Sequence, residues 1–317
     1  MAYSAGDAIL DDEYNVFVNS SSDPFGYNHF AGPGSTVYGL NQSTISTVSA
    51  GDTIAASHWN ALFTGMDNIA NHTNTSITAS SVSAGDTIAI RSALISDLAN
   101  LAAAVAAGST SATAIQTGVA VGTSTNGGTW NGTSTIERSV TFANNNTMRA
   151  FFNAGGYISV DPATSGSVDG DKDTVFEQLT AAVGNLDLKA HATARGGSGE
   201  TQTSLATSTG FHDLGTSYTS LIKLTSDNSG YTSDNIEIFA KLDAAVGSAT
   251  VLTIKMVSSD PAGDDTYTSP NTSGVPANPN ECPAMVLNII ENHPTDAQGL
   301  AAAIRVASNA EVSNSQS

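Results

Sequence analysis

The sequence predicts a β-rich mixed α+β fold, with small strand-turn-helix repeats at the N-terminus followed by an antiparallel β-sandwich-like domain. The first observation behind this prediction is a repeat: residues 48–54, V-S-A-G-D-T-I, return letter for letter at residues 82–88, as in proteins built from stacked supersecondary units. The second is composition, since only 12% of the residues are charged, where roughly 25% is usual. The third is a series of alternating segments after residue 110, separated by Asn-Gly and Gly-Gly turns, which is typical of antiparallel strands.

A looser copy of the repeat, S-A-G-D-A-I, opens the chain at residues 4–9. Eight residues after the glycine, the first two copies carry an aromatic residue followed by Asn, and the third copy keeps only apolar residues. The three pairs are Tyr14-Asn15, Trp59-Asn60 and Ala93-Leu94. The glycine is predicted to permit a tight turn, and the Asp or Thr after it to bond backbone donors where the next helix starts. Such a repeat indicates stacking or assembly rather than a catalytic pocket.

Each copy leads into a predicted helix. Residues 11–19 form the first, with Asp11 or Asp12 as its N-cap. Apolar residues at spacings of three and four predict the next two; they are Trp59, Leu62, Phe63, Met66, Ile69 and Ala70, and then Ile90, Leu94, Ile95, Leu98, Leu101 and Val105. Gly108 is predicted to end the last helix. Residues 20–40 mix Gly and Pro with aromatic residues, which predicts an extended arm that docks on a neighbour or on the next unit.

The chain is predicted to have three parts: residues 1–40 as the arm with the first degenerate repeat, 41–110 as two repeats for assembly or docking, and 111–317 as the β-rich domain, with a further division near 185 left open. An Asn-capped helical turn carrying Met148, Phe151 and Phe152 is predicted to stop at Gly155 and Gly156, and a second helix to span residues 174–183. The predicted strands are residues 116–121, 135–142, 157–160, 186–192, 210–224, 235–242, 250–258 and 284–291. Residues 301–306 are a further strand or, alternatively, part of an Ala-rich helix over 295–309.

Charge and hydropathy exclude two classes of partner. The formal net charge is −19 and no basic cluster interrupts it, so phosphate backbones are repelled and nucleic-acid binding is disfavoured. The longest weakly polar run, residues 98–108, is far shorter than the ~20 residues that span a bilayer, which predicts no membrane insertion. The single cysteine, Cys282, excludes an intramolecular disulfide and is interpreted as a small residue in a Pro-flanked loop.

No motif predicts a metal, a cofactor or an enzymatic activity. The six histidines are scattered without ligand spacing, and no nucleophile elbow, phosphate loop or dinucleotide fingerprint stands between a strand and a helix. Paired carboxylates that cleave glycosides need only be close in space, so the sequence alone leaves them open. The run V-D-G-D-K-D is similar to the opening of a calcium loop, but Thr replaces the Gly and Glu that such a loop requires. The acidic residues considered for calcium are Asp169, Asp171 and Asp173, and separately Asp260, Asp264 and Asp265.

A set of aromatic and apolar residues in the repeats and the arm is the candidate interaction site, because such residues are favoured at interfaces. Its members are Tyr14, Phe25, Tyr27, Phe30, Trp59, Phe63 and Met66. The alternative, that they form the core of each repeat, is equally open. Both interpretations are true if each repeat buries its apolar face against another copy of the repeat.

Four stretches together carry a resemblance to a known class of proteins: A-G-D-x-I-x-x-x-x-[YW]-N, the arm F-G-Y-N-H-F-A-G-P-G-S-T-V-Y-G-L, D-N-I-A-N-H-T-N, and S-V-T-F-A-N-N-N-T-M-R-A-F-F-N-A-G-G. In these motifs and their order over most of residues 1–260, the chain resembles virion structural proteins of tailed bacteriophages, especially tail-fibre-like or appendage proteins of marine contractile-tailed cyanophages. The third repeat departs from the pattern, and residues 261–317 carry none of it.

The resemblance implies a non-enzymatic, oligomeric part of the particle, made in the host cytoplasm and located in the virion. A tail, collar or fibre-base component that contacts itself and other virion proteins through its N-terminal repeats is the reading we favour. The alternatives are a capsid decoration protein and an adhesin that binds a host-surface glycan. Exposed aromatic residues near Tyr218, Tyr231 and Tyr267 would favour the adhesin.

Overall fold

A computed structural model describes residues 11–22, 25–33, 39–84, 86, 91–111, 113–166, 171–261, 281–295, 300 and 304–316. The fold is mixed α+β and rich in β structure, with helices in the N-terminal part and two antiparallel sheets after it, which confirms the predicted class. The chain divides into two compact units. The helical unit comprises Met1–Gln116, Asn144–Gly156 and His293–Arg305, and the β unit comprises Thr117–Ala143, Tyr157–Asn292 and Val306–Ser317.

The helical unit contains five helices within the described residues: α1 Asp11–Asn19, α2 Tyr27–Phe30, α3 Ala56–Thr73, α4 Arg91–Ala106 and α5 Asn145–Asn153. The predicted helices α1, α3 and α4 are confirmed, and Leu94, Leu98, Leu101 and Val105 lie on the buried side of α4. The predicted N-cap of α1 is wrong, because Asp11 and Asp12 both lie within the helix. Ile90 lies outside the described residues. Gly108 has φ +63°, as the predicted C-cap requires. The N-cap of α5 is Asn144, whose side chain accepts a hydrogen bond from the N–H of Thr147 at 2.9 Å.

The arm is less extended than predicted. Residues 27–30 form the short helix α2, and its Tyr27 and Phe30 are buried. Gly26 precedes this helix, and a Cβ there would lie 2.5 Å from the backbone N of Ser20. The glycine thus permits a close approach of two backbone segments, and burial of the aromatic rings outweighs the poor helix propensity of the stretch. Residues 23–24 and 34–38 of the arm lie outside the described residues.

In the residues that the structure describes, the β unit consists of strands in two sheets, the α-helix α6 Asp171–Val183 and a short 3-10 turn. The strands are β1 Ile115–Thr125, β2 Thr133–Phe142, β3 Tyr157–Ser165, β4 Leu186–Leu188, β5 Thr193–Arg195, β6 Thr201–Leu205, β7 Thr219–Thr225, β8 Asn235–Leu242, β9 Val251–Ser259, β10 Ala284–Pro294 and β11 Val306–Gln316. The first sheet has the order β1-β10-β3-β4-β5, and the second has the order β11-β2-β9-β8-β7-β6. Burial alternates along β2 and β8, so one face of the second sheet is buried, as in a sandwich.

Two local predictions in the β unit are wrong. The predicted strand 210–224 starts with a single 3-10 turn at Phe211–Asp213, and β7 begins only at Thr219. The predicted strand 186–192 is shorter, since β4 ends at Leu188 and β5 begins at Thr193. In both places a short turn interrupts the apolar pattern, which periodicity alone does not reveal.

The C-terminal segment is a strand where an Ala-rich helix over residues 295–309 was one alternative. Residues 306–309 belong to β11, which pairs antiparallel with β2. Residues 301–303 of the predicted strand 301–306 lie outside the described residues, and residues 304–305 are not in a strand. Side-chain amides of β11 also donate to backbone carbonyls of β1 and the following turn. These bonds join Asn309 to Val121 at 2.7 Å, Asn314 to Thr125 at 2.8 Å and Gln316 to Gly128 at 2.9 Å. Long-range pairing of this extent overrides local helix propensity.

Candidate interaction site in the helical repeats

The Gly-Asp pair of the repeat closes a turn in the same way in two copies. The Asp52 carboxylate accepts a hydrogen bond from the N–H of Ser49 at 2.9 Å, and Asp86 accepts from Ser83 at 2.7 Å. The prediction that the Asp side chain bonds the start of the following helix is therefore wrong. Because Gly51 has φ +89°, the chain turns back and brings the carboxylate to the N–H three residues before it.

Asparagine side chains connect each repeat to the one after it. The amide of Asn15 accepts from the N–H of Val48 at 2.9 Å and donates to its carbonyl at 2.8 Å. Asn60 makes the same pair of bonds with Val82, each at 2.8 Å. Val48 and Val82 are the first residues of the second and third copies. We call these two arrangements the asparagine clamps, and they replace a strand-like hydrogen-bond pair between successive repeats.

The third copy has no clamp of this kind within the described residues. Leu94 occupies the position of Asn15 and Asn60 and is fully buried in the apolar core of the unit. No fourth copy follows it in the sequence. The change from Asn to Leu therefore marks the end of the array, as terminal repeats of stacked proteins commonly depart from the consensus.

Two further side chains hold the extended segments between the helices. Asn28 of the arm bonds both backbone groups of Ile45 at 2.8 Å. Asp97 of α4 is 3% exposed and accepts three bonds, from the N–H and hydroxyl of Thr78 at 2.9 Å and from the N–H of Ala79 at 3.0 Å. These bonds satisfy backbone groups that lack a sheet partner, so irregular segments remain ordered against the helices.

The seven candidate interaction residues belong to one apolar cluster of the helical unit, in which Phe25 is only partly buried. Trp59 is at the centre, with its ring centroid 5.2 Å from that of Tyr14 and 5.7 Å from that of Phe63. Six of the seven are buried within a single copy of the chain, namely Tyr14, Tyr27, Phe30, Trp59, Phe63 and Met66, whereas Phe25 is half-buried. The burial supports the core interpretation of the six, because a side chain enclosed by its own chain does not contact a partner directly.

Phe25 leads to a surface that is accessible to a partner. It stacks on His29, with centroids 4.3 Å apart and planes at 6°. Together with Phe30 and the small side chains of α4 these rings line an open apolar cavity of about 200 Å³; the α4 residues are Ala99, Ala102, Ala103 and Ala106. Burial lowers the pKa of His29, which favours its uncharged form. We call this surface the Phe25 pocket, and the lining residues that the structure describes include no carboxylate.

The acidic residues that the sequence suggests for calcium, and the tyrosines that it suggests for a host glycan, are placed as follows. Asp171 and Asp173 lie in the first turn of α6 and not in a loop, so the calcium-loop interpretation is wrong for them; Asp169, Asp264 and Asp265 lie outside the described residues. Among the described residues, no three His, Cys, Asp or Glu side chains are placed to hold a metal ion. Tyr231 is buried, and the half-buried ring of Tyr218 is flanked by two lysines, while Tyr267 is not described.

Comparison with known proteins gives no match, either to a family model, to a curated protein or to a solved structure. None of the helices in the described ranges is long and apolar enough to cross a membrane. The observations define a mixed α+β protein in which three tandem repeats, clamped by asparagine, precede a two-sheet β unit.

Proposed function

We propose that this protein is a non-enzymatic structural component of a tailed-phage particle, located at the tail, collar or fibre base, which assembles through its helical unit. The observation that carries the proposal is the pair of asparagine clamps. They join successive repeats through Asn15 and Asn60, whose side chains bond backbone groups of the next copy. Repeated side chains that bond the backbone of the next repeat support a role in assembly rather than in catalysis.

The Phe25 pocket is the surface we assign to self-association. Two copies of a chain with a net charge of −19 repel one another, and the repulsion is weakest where a face carries no carboxylate. The pocket lining is apolar and small, with alanines on α4 that allow a helix or ring to approach closely. A second copy of this chain is therefore the occupant that we propose.

Light scattering of the purified full chain at two concentrations tests the self-association. We expect a discrete oligomer for the natural chain and a shift to monomer for Ala103→Glu, which places a charge in the exposed part of the pocket. Asn100→Glu adds a charge at an exposed position of the same helix outside the pocket lining and should leave the mass unchanged. An oligomer that persists in Ala103→Glu would reject the pocket as the contact.

Immunogold labelling tests the location. Antibodies raised against the full chain are expected to label the tail, collar or fibre base of purified phage particles from the source of the sequence. Regular labelling over the capsid would instead favour the decoration protein. Particles without label, in a preparation whose major capsid protein is labelled as a positive control, would contradict a virion component altogether.

A further inference from the structure

A lysine and an aspartate are enclosed together in the β unit. Lys172 lies in the first turn of α6, and its Nζ is 2.8 Å from Oδ1 and 2.7 Å from Oδ2 of Asp260. Asp260 follows directly after β9. The two side chains are 1% and 0% exposed, so water has no access to either charged group.

The surroundings of the pair are also buried. The thiol of Cys282 donates to Oδ2 of Asp260 at 3.2 Å, and Cys282 forms an antiparallel bridge with Trp130. Cys282 lies outside the named strands, as the sequence predicts for a Pro-flanked loop, and its thiol is in addition buried and hydrogen-bonded. Burial and the nearby carboxylates of Asp260 and Asp234 raise the pKa of Cys282, which keeps it a thiol and a donor.

An ion pair that is shielded from water costs free energy, because both charged groups lose their hydration. In a low-dielectric site, transfer of the ammonium proton to the carboxylate gives a neutral amine beside a neutral acid. These two contacts place the carboxyl carbon about 3 Å from Nζ, a separation within the roughly 3–3.5 Å needed for attack. They also place Nζ on the oxygen side of the carboxyl group, so the carboxyl group must rotate about its Cβ–Cγ bond to present its face to the nitrogen. The amine is then held against a carbon that it can attack.

We propose that Lys172 and Asp260 condense to an amide bond that links the two side chains. The lone pair of the neutral Nζ attacks Cγ of the protonated carboxyl group, the C–N bond forms, and one C–O bond breaks. The leaving hydroxyl takes up the proton that Nζ loses, so that one water molecule departs. The step needs no oxidant, reductant or cofactor, because the atoms and charges of an ammonium group and a carboxylate add up to those of an amide and one water molecule.

Asp234 is the group that we assign to proton transfer in this step. Its side chain is fully buried, and it lies near enough to Cys282, whose thiol bonds Asp260, to raise the pKa of that thiol. A carboxyl group of this kind takes the proton from the attacking nitrogen and returns it to the leaving oxygen. Asp234 is a proton carrier here and is not consumed.

The amide would covalently link the first turn of α6 to the residue that follows β9. These residues are 88 positions apart in the chain, so the bond would close a long loop and restrict the unfolded chain. It would also remove two buried charges. This inference concerns the β unit and is independent of whether the chain belongs to a phage particle.

Mass spectrometry of the full chain in denaturant tests the proposal. We expect the natural protein to be lighter than its sequence by the mass of one water. Proteolysis should yield a single joined peptide pair that contains Lys172 and Asp260, with no cleavage after Lys172. A mass equal to that of the sequence, with separate unmodified peptides, would overturn the proposal without any variant being needed.

Variants then locate the bond. Lys172→Met should restore the full sequence mass, whereas Lys223→Met should keep the deficit of one water. Lys223 is the matched control, because its Nζ lies 3.4 Å from Glu237 in a salt bridge that is open to solvent. Asp234→Asn should slow the appearance of the lighter species after synthesis, and an unchanged rate would reject Asp234 as the proton carrier.

Discussion

The side-chain amide of Asn60 holds both backbone polar groups of Val82, accepting from its N–H and donating to its carbonyl at 2.8 Å each. A side-chain amide can replace a strand in this way because it carries a donor and an acceptor at the spacing of a peptide group. The relationship repeats one unit earlier between Asn15 and Val48. It explains why Asn accompanies the aromatic residue in the first two copies.

Removal of a clamp should destabilise the helical unit. Asn60→Ala leaves the N–H and carbonyl of Val82 without their partner, and we expect a loss of about 1–3 kcal/mol in the free energy of unfolding. Chemical denaturation measures it, and faster hydrogen exchange at the amide of Val82 localises it. The control is Asn71→Ala, because the Asn71 amide bonds only the exposed Asp67 carboxylate; a change within ~0.5 kcal/mol is expected there. Equal losses in both variants would contradict the clamp.

Trp59 should behave as a core residue. It is 1% exposed, so Trp59→Ala is expected to cost about 3–5 kcal/mol through the cavity that it leaves. Its indole N–H has no acceptor among the described residues, and Trp59→Phe removes that unsatisfied donor, so a smaller loss is expected. Thermal unfolding of the two variants measures the difference. If the Trp59→Ala protein had unchanged stability but an altered oligomeric mass, the result would instead show that Trp59 contacts another copy of the chain.

Gly65 in the middle of α3 is required for packing. An Ala at this helical position gains about 1 kcal/mol in helix propensity, but its Cβ would lie 2.7 Å from Cζ of the buried Tyr27. Overpacking of a core costs about 1–3 kcal/mol, so Gly65→Ala should lower the melting temperature. Gly247→Ala is the control, since nothing lies within 4 Å of its added Cβ. A rise in melting temperature for Gly65→Ala would show that the ring moves aside freely.

Acid should destabilise the helical unit through His72. Burial lowers the pKa of His72, and its bond to the Ala154 carbonyl at 2.9 Å opposes this in part. Since a carbonyl only accepts, Nε2 carries the proton, and Nδ1 has no partner among the described residues. The unfolded chain, in which the pKa of a histidine is about 6.5, takes up a proton first as the pH falls.

The free energy of unfolding should therefore fall as the pH is lowered through about 6.5, and it should be independent of His72 above that value. His72→Gln keeps a donor for Ala154 and does not titrate, so the fall should be smaller in this variant. Denaturation between neutral and mildly acidic pH measures both slopes. Identical slopes in the two proteins would contradict the assignment to His72.

Local elements were predictable wherever periodicity and capping agreed. The helix at residues 11–19 and the strand at residues 235–242 have the bounds that the sequence predicts, because apolar spacing and start signals lie within the element itself. The arm was predicted less well. Its helix α2 depends on the burial of Tyr27 and Phe30, and burial is a property of the whole unit.

The sequence predicts which residues belong to the candidate site, but it does not predict what each of them does. The aromatic residues were recognised, yet their enclosure within one copy and the accessibility of the Phe25 pocket require the packed helices. Asn15 and Asn60 occupy the same position in the first two copies of the repeat, and the last copy has Leu94 there. Their partners are 33 and 22 residues away, beyond the reach of local pattern.

The sequence by itself determined the class of fold, the three repeats, most helices and strands, and the net charge, since propensity and periodicity are carried by neighbouring residues and charge is a simple sum. Only the tertiary structure decided which distant groups meet: the amide of Asn60 with Val82, β11 with β2, and Lys172 with Asp260. The physical reason is that such contacts depend on the angles and distances between packed elements, and a hydrogen bond or an attack on carbon succeeds or fails within a few tenths of an ångström.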